Sequence, residues 1–153
     1  MTDLRIRFAQ PEDKAAWLEL WKSYCDFYET AVSTETTKEL WRRILDPKYP
    51  VSALVADESG GLLGFTHFVL HDYTWGTNPV CYLEDLYVKT DARRKGVGEA
   101  LIERLIQEAK KSGWDRVYWM TKSDNTAARG LYDKYVQSDG FVRYIVQLAR
   151  PDN

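Results

Sequence analysis

Between an apolar stretch ending at Val88 and an amphipathic stretch opening near Gly96 lies Lys89-Thr90-Asp91-Ala92-Arg93-Arg94-Lys95-Gly96-Val97-Gly98. Three consecutive cations at the start of a helix oppose its dipole, at a cost of roughly 0.3–1 kcal/mol per exposed charge. An anion removes that conflict. Glycines at 96 and 98 permit close backbone approach, and the unbonded amides of a first helical turn point at whatever sits there, so a phosphate or pyrophosphate is the natural occupant. A solvated surface turn is the plain alternative. The dinucleotide fingerprint does not fit, because Leu101 stands three residues after Gly98, and no Gly-Lys-Ser/Thr forms a Walker loop.

A second chemical feature lies just upstream. Glu84 and Asp85 interrupt the apolar run Val80–Val88, where alternation sends neighbouring side chains to opposite faces. A buried carboxylate is costly unless paired or hydrogen-bonded, so at least one of the two has a specific task.

The elements that must position these residues can be read from periodicity. Leu4–Phe8 alternates as a strand, and Pro11-Glu12-Asp13 suits a first helical turn. Trp17, Leu18, Leu20, Trp21, Tyr24, Phe27 and Tyr28 then recur at helical steps, and a second helix runs from about Thr36 to Leu45. Residues 51–56 and 62–70 read as strands joined by Glu58-Ser59-Gly60-Gly61, a hairpin, with Val80–Val88 as the next strand of a meander. Gly96–Lys111 is a helix stopped by Gly113. Trp114–Thr121 is a strand, Thr126 to about Val136 a helix and Phe141–Leu148 a last strand. A strand-helix-strand crossover makes its two strands parallel. The expected fold is therefore α/β or α+β, with a mixed, mostly antiparallel sheet flanked by helices in one domain over residues 1–153.

The chain of 153 residues carries a formal charge of −2 with dispersed cations, which speaks against nucleic acid as a partner. Neither a signal peptide nor a membrane span is expected. Cys25 and Cys81 have no metal-ligand spacing, and both read as structural thiols of a soluble protein in a reducing, cytoplasmic setting. His67 and His71 share one side of a strand, yet nothing nearby completes a metal set, so both read as ordinary sheet residues and no metal is expected.

The run Tyr82-Leu83-Glu84-Asp85-Leu86-Tyr87-Val88, followed by Arg93-Arg94-Lys95-Gly96-Val97-Gly98, resembles the acetyl-CoA motif of the GNAT superfamily of N-acetyltransferases. Asn125-Thr126-Ala127-Ala128-Arg129-Gly130-Leu131-Tyr132 resembles that family's second signature, and the order of elements is similar throughout. Within the superfamily, Thr74-Trp75 before the motif strand and Val117–Thr121 look closest to a branch of histone, polyamine and D-amino-acid acetyltransferases.

The resemblance implies acetyl-CoA as co-substrate. Its pyrophosphate falls to Arg93, Arg94, Lys95, Gly96, Val97, Gly98 and the amides that follow through Glu99, and its pantetheine arm to the backbone of Leu86, Tyr87 and Val88. Asn125, with Ala128 a turn on, falls where family members contact the cofactor, although Asn125 equally suits a helix N-cap. Tyr132 matches the tyrosine that returns a proton to the departing thiolate. The acceptor amine must lose a proton before attack, which makes Glu84 the first candidate base and Asp85 the alternate. Either could instead orient the acceptor ammonium or tie down a loop.

Tyr24, Tyr28 and Trp75 are candidates for the acceptor wall, while Trp17 and Trp21 read as core. Asp26 and Glu29 add negative charge that suits a cationic amine. The acceptor is thus expected to be a small amine, polyamine or amino acid ahead of a protein lysine. The alternative class is a non-catalytic acyl-CoA sensor or interaction module. Asp133–Ser138 intervene where many family members have a short turn, and a homodimer is expected.

Overall fold

A computed structural model describes residues 3–148, which divide after Met120 into two compact units. The first unit holds β1 (Leu4–Phe8), α1 (Lys14–Phe27), α2 (Thr34–Ile44), β2 (Val51–Glu58), β3 (Gly61–His71), β4 (Val80–Val88), α3 (Val97–Ser112) and β5 (Val117–Tyr118). Its strands form one sheet in chain order, antiparallel from β1 to β4, with β5 parallel to β4. The expected mixed, mostly antiparallel sheet flanked by helices is the one observed.

Local chemistry accounts for the joints. At the β2–β3 turn, Ser59 and Gly60 both take positive φ (52° and 81°), the twist-matched geometry of a two-residue hairpin. At the entry to α1, Arg7 donates to both carboxylate oxygens of Asp13 (2.8 and 3.0 Å) and to Asp57 (3.1 Å), while Asp13 accepts from the Gln10 amide. Beta alternation then sorts the core. Val55 and Phe65 join Trp17, Trp21 and Trp41 of the first two helices, whereas Phe68 meets Phe8 and Trp114 on the opposite face. Helix α3 buries Val97, Leu101, Ile102, Leu105 and Ala109. Its guanidinium at Arg104 lies over the Phe8 ring.

The second unit, residues 121–148 as described, contains α4 (Thr126–Tyr132). This helix is shorter than the expected reach to Val136. Gly130 weakens it, and its end tightens into a turn in which Tyr135 N–H donates to the Tyr132 carbonyl (2.9 Å). Phe141–Leu148 forms no strand. Its residues make no ladder, and Phe141, Tyr144 and Val146 are more than four-fifths exposed. Strand-forming composition without a paired neighbour does not make a strand.

The fifth strand is likewise shorter than Trp114–Thr121. Its ladder with β4 ends at Tyr82 and Tyr118, and two residues later β4 carries a bulge. A bulge bends and twists its strand, which carries β4 out of register with a straight neighbour.

Candidate active site

The basic loop has the geometry an anion needs. Gly96 caps α3 in the left-handed conformation (φ 79°), and Arg94 before it also takes positive φ (65°), so the chain folds back on itself into the helix. The side chains of Arg94 and Lys95 are exposed and pair with nothing among the described residues. Two unneutralised cations beside the first-turn amides of a 16-residue helix fit a pyrophosphate. Arg93 points elsewhere. Its Nε donates to the Val88 carbonyl (3.1 Å), and its guanidinium lies over the rings of Phe27 and Tyr87. This cation thus ties the loop to α1 and β4. Glu99 lies in the first turn of α3, where acidic residues complement the dipole.

The second half of β4 offers the other requirement of a coenzyme A site. Beyond Tyr82 no strand of the first unit pairs with β4 on its β5 side, so Leu86, Tyr87 and Val88 hold a sheet partner only through β3. An extended amide chain such as pantetheine can take backbone hydrogen bonds along such an edge. β3 approaches closely here. A Cβ added at Gly64 would lie 2.5 Å from the Tyr87 carbonyl oxygen and 3.2 Å from Val88 Cα.

The two carboxylates sit at the bulge. His67 pairs with Asp85 and Phe68 with Leu83, leaving Glu84 as the extra residue. Strict alternation therefore does not by itself fix the directions of the Glu84 and Asp85 side chains. Glu84 is exposed. Partial removal from water raises the proton affinity of its carboxyl, the negative charge of Asp85 raises it further, and a positive charge on His67 would act in the opposite sense.

Asp85 is held on every side. It accepts from the Tyr24 hydroxyl at Oδ1 (2.6 Å), and its Oδ2 lies 2.9 Å from His67 Nδ1. The Thr66 hydroxyl donates to its backbone carbonyl (2.8 Å). His67, 1 % exposed, also receives the Trp17 indole N–H at Nε2 (3.0 Å). The Tyr24 phenol is kept protonated by burial first and by the adjoining Asp85 charge second. Sequence reasoning took His67 for an ordinary sheet residue and Trp17 for core packing. Trp17 is core, and it is also a hydrogen-bond donor. The available signal was register, since a β3–β4 hairpin sets a His opposite the Asp of the motif strand.

The remaining acceptor candidates are only partly gathered. Tyr28 stacks at an angle on Tyr24 (4.9 Å between centroids) and on Phe27, at the end of α1. Glu29 follows in a turn at φ 51°. Trp75 is 87 % exposed and touches Tyr73 rather than the α1 aromatics. In the second unit, Asn125 is an N-cap. Its Oδ1 accepts from the Ala128 amide (3.2 Å), and its Nδ2 donates to Thr121 Oγ1 (3.2 Å). Tyr132 is the last residue of α4. Among the described residues no group of three His, Cys, Asp or Glu could hold a metal ion, and no helix is long and apolar enough to cross a membrane.

A basic loop at a helix start, a strand edge opened by a bulge and paired carboxylates at that bulge define an acyl-CoA-using transferase. Residues 17–136 match the acetyltransferase (GNAT) family, and the chain belongs to that family of acetyl-CoA-dependent N-acetyltransferases. It is 37 % identical over 141 residues to the D-amino-acid N-acetyltransferase HPA3 of Saccharomyces cerevisiae, covering 91 % of this chain and 88 % of that one. It is 31 % identical to the L-amino acid N-acyltransferase MnaT of Escherichia coli, over 91 % of this chain and 80 % of that one. Among solved structures, the aminoglycoside acetyltransferase meta-AAC0020 from an uncultured soil metagenomic sample shares the fold. It superposes with a TM-score of 0.84 at 19 % identity, covering 96 % of this chain and 97 % of that one.

Proposed function

We propose that the protein moves the acetyl group of acetyl-CoA onto the primary amine of a small acceptor, an amino acid or polyamine ahead of a protein lysine. The observation that carries this reading is the bulge in β4, which leaves Glu84 as an extra, exposed residue next to Asp85, whose carboxylate accepts from Tyr24 of α1. The relatives that act on D- and L-amino acids support an amino-acid acceptor. So do Asp26 and Glu29, which suit a cationic group beside Tyr24 and Tyr28.

In this reading the pyrophosphate lies on Arg94, Lys95 and the amides from Gly96 through Glu99. Arg93 braces the loop, and pantetheine runs along Leu86 to Val88. The acceptor ammonium gives a proton to Glu84, directly or through water. The free amine adds to the thioester carbonyl, and a β4 amide steadies the oxyanion. Collapse of that adduct breaks the C–S bond, the thiolate takes a proton from Tyr132, which matches the family position, and the proton that the new amide nitrogen sheds returns through water to the Tyr132 phenolate. Asn125, which caps α4 at the Ala128 amide, and Ala128 match the family positions that contact the cofactor. No cysteine takes part: burial pushes the Cys81 thiol up to about 12, and Cys25 is also buried.

The family match runs through both compact units, which supports one catalytic domain over residues 1–153. We further assign a cytoplasmic homodimer. Two buried free thiols suit a reducing compartment, and the exposed apolar side chains of residues 141–148 suit a subunit contact. A concentration-independent monomer mass in solution overturns the dimer. The acceptor is tested by following thiol release from acetyl-CoA with D- and L-amino acids, polyamines, an aminoglycoside and a lysine peptide. Turnover with amino acids or polyamines is expected; turnover confined to the peptide or the aminoglycoside overturns the reading.

A further inference from the structure

The indole N–H of Trp17 is a donor only, so the nitrogen it meets, His67 Nε2, must be an acceptor. The one ring proton of a neutral imidazole then sits on Nδ1 and is donated to Asp85 Oδ2. The Tyr24 hydroxyl fills Oδ1. Both oxygens of Asp85 therefore accept, one from Tyr24 and one from His67. The clamp spans α1, β3 and β4. It is rigid because Trp17 is stacked between Trp21 and Trp41 (6.0 and 4.7 Å between centroids) and the Thr66 hydroxyl fixes the Asp85 backbone.

We propose that Trp17, His67 and Tyr24 are positioning residues that fix the Asp85 side chain at the β4 bulge, where it stands beside the exposed Glu84 as a neighbouring charge rather than as the group that exchanges the proton. This role rests on the reading of Glu84 as the base. It gives different tasks to the two residues that sequence ranks as first candidate and alternate for the base, Glu84 accepting the proton and Asp85 supplying a neighbouring charge. The groups around the pair are few. Tyr24 and Cys25 face Asp85 from α1, both kept protonated by burial first and the Asp85 charge second. His67 faces Asp85 from β3, and the Tyr118 phenol of β5 is held protonated by burial first and in part by the charge of Glu84. Within the first unit none of these is a Lys or Arg that neutralises Asp85.

The imidazole nitrogen resonances of His67 in the intact protein read the clamp without any turnover. Nδ1 protonated and Nε2 bare at neutral pH is expected; the reverse tautomer or an imidazolium overturns the proposal. The second readout is the acidic limb of kcat/KM against pH. Asp85→Asn removes the charge. Trp17→Phe frees His67 Nε2 for a second proton, which turns the ring into a counter-ion for Asp85. Each is expected to move the limb to lower pH by about one pH unit, the order of one neighbouring like charge. A purely structural role lowers the melting temperature or kcat and leaves the limb in place. If Glu84→Gln abolishes the limb while neither Asp85→Asn nor Trp17→Phe moves it, the field role is overturned and the base stands. If Glu84→Gln retains the limb, the base reading has failed and this role fails with it.

Discussion

In the proposed reaction Glu84 is the base because of where the sheet leaves it. As the extra residue of a bulge it stays exposed, and partial removal from water raises its proton affinity, the direction that favours a base. Glu84→Gln should lower kcat/KM by roughly 10²–10⁴-fold with the protein still folded, read by steady-state kinetics beside circular dichroism. Tyr132→Phe removes the proton donor to the thiolate and should lower kcat by about 10²-fold with the KM for acetyl-CoA little changed. Equal turnover removes Tyr132 from the mechanism. Arg94→Ala should do the reverse. It raises the KM for acetyl-CoA about tenfold at constant kcat, since a charge on the pyrophosphate binds ground and transition states alike.

At the scale of elements, two contacts decide whether those residues meet. Gly64 lets β3 lie against the part of β4 that borders the cofactor edge, and a Cβ there meets backbone atoms that cannot swing away. Gly64→Ala should cost about 1–3 kcal/mol of stability and raise the KM for acetyl-CoA, measured by denaturant unfolding and kinetics on one preparation. The Arg7–Asp13 pair anchors the entry to α1, the helix that supplies Trp17 and Tyr24. Hydrogen bonds from Arg7 hold the Asp13 carboxyl below its ordinary value of 3.8, against the opposing effect of burial. The folded state therefore prefers the carboxylate. Its stabilisation is present above that unfolded value and is lost as pH falls through the lower folded one. Asp13→Asn should destabilise the protein by about 2 kcal/mol near neutrality, and the gap to wild type should close in strong acid. A gap that persists there contradicts the assignment.

For the molecule as a whole, the legible parts were those with strong local signals. Val80–Val88 and Leu4–Phe8 lie at their expected bounds, and α3 starts one residue inside its basic glycine loop. The hairpin turn at Ser59-Gly60 was readable because few residues take positive φ at such a site. What escaped depends on pairing across the sheet. Neither the bulge that isolates Glu84 nor the opposition of His67 to Asp85 is written in either strand alone. The run from Phe141 to Leu148 has strand composition and makes no strand, since composition supplies a propensity and only a neighbour supplies a ladder. The turn of the basic glycine loop into α3 was readable for the opposite reason. Its cations, its glycines and the helix they open are contiguous, so its chemistry lies in one stretch of chain.

The strand order β1-β2-β3-β4-β5 also has a kinetic side. β2 and β3 close through a two-residue turn and β4 joins them after a short connection, so the centre of the sheet can zip by local steps. β1 must close over α1 and α2, and β5 over α3, and each carries a larger loop-closure cost. Folding should then nucleate on the β2–β3–β4 meander. Conservative core substitutions such as Val55→Ala are expected to slow folding, while substitutions at Ile6 in β1 mainly speed unfolding. Stopped-flow chevrons on the two variants distinguish these outcomes, and equal partition between the two arms removes the hierarchy.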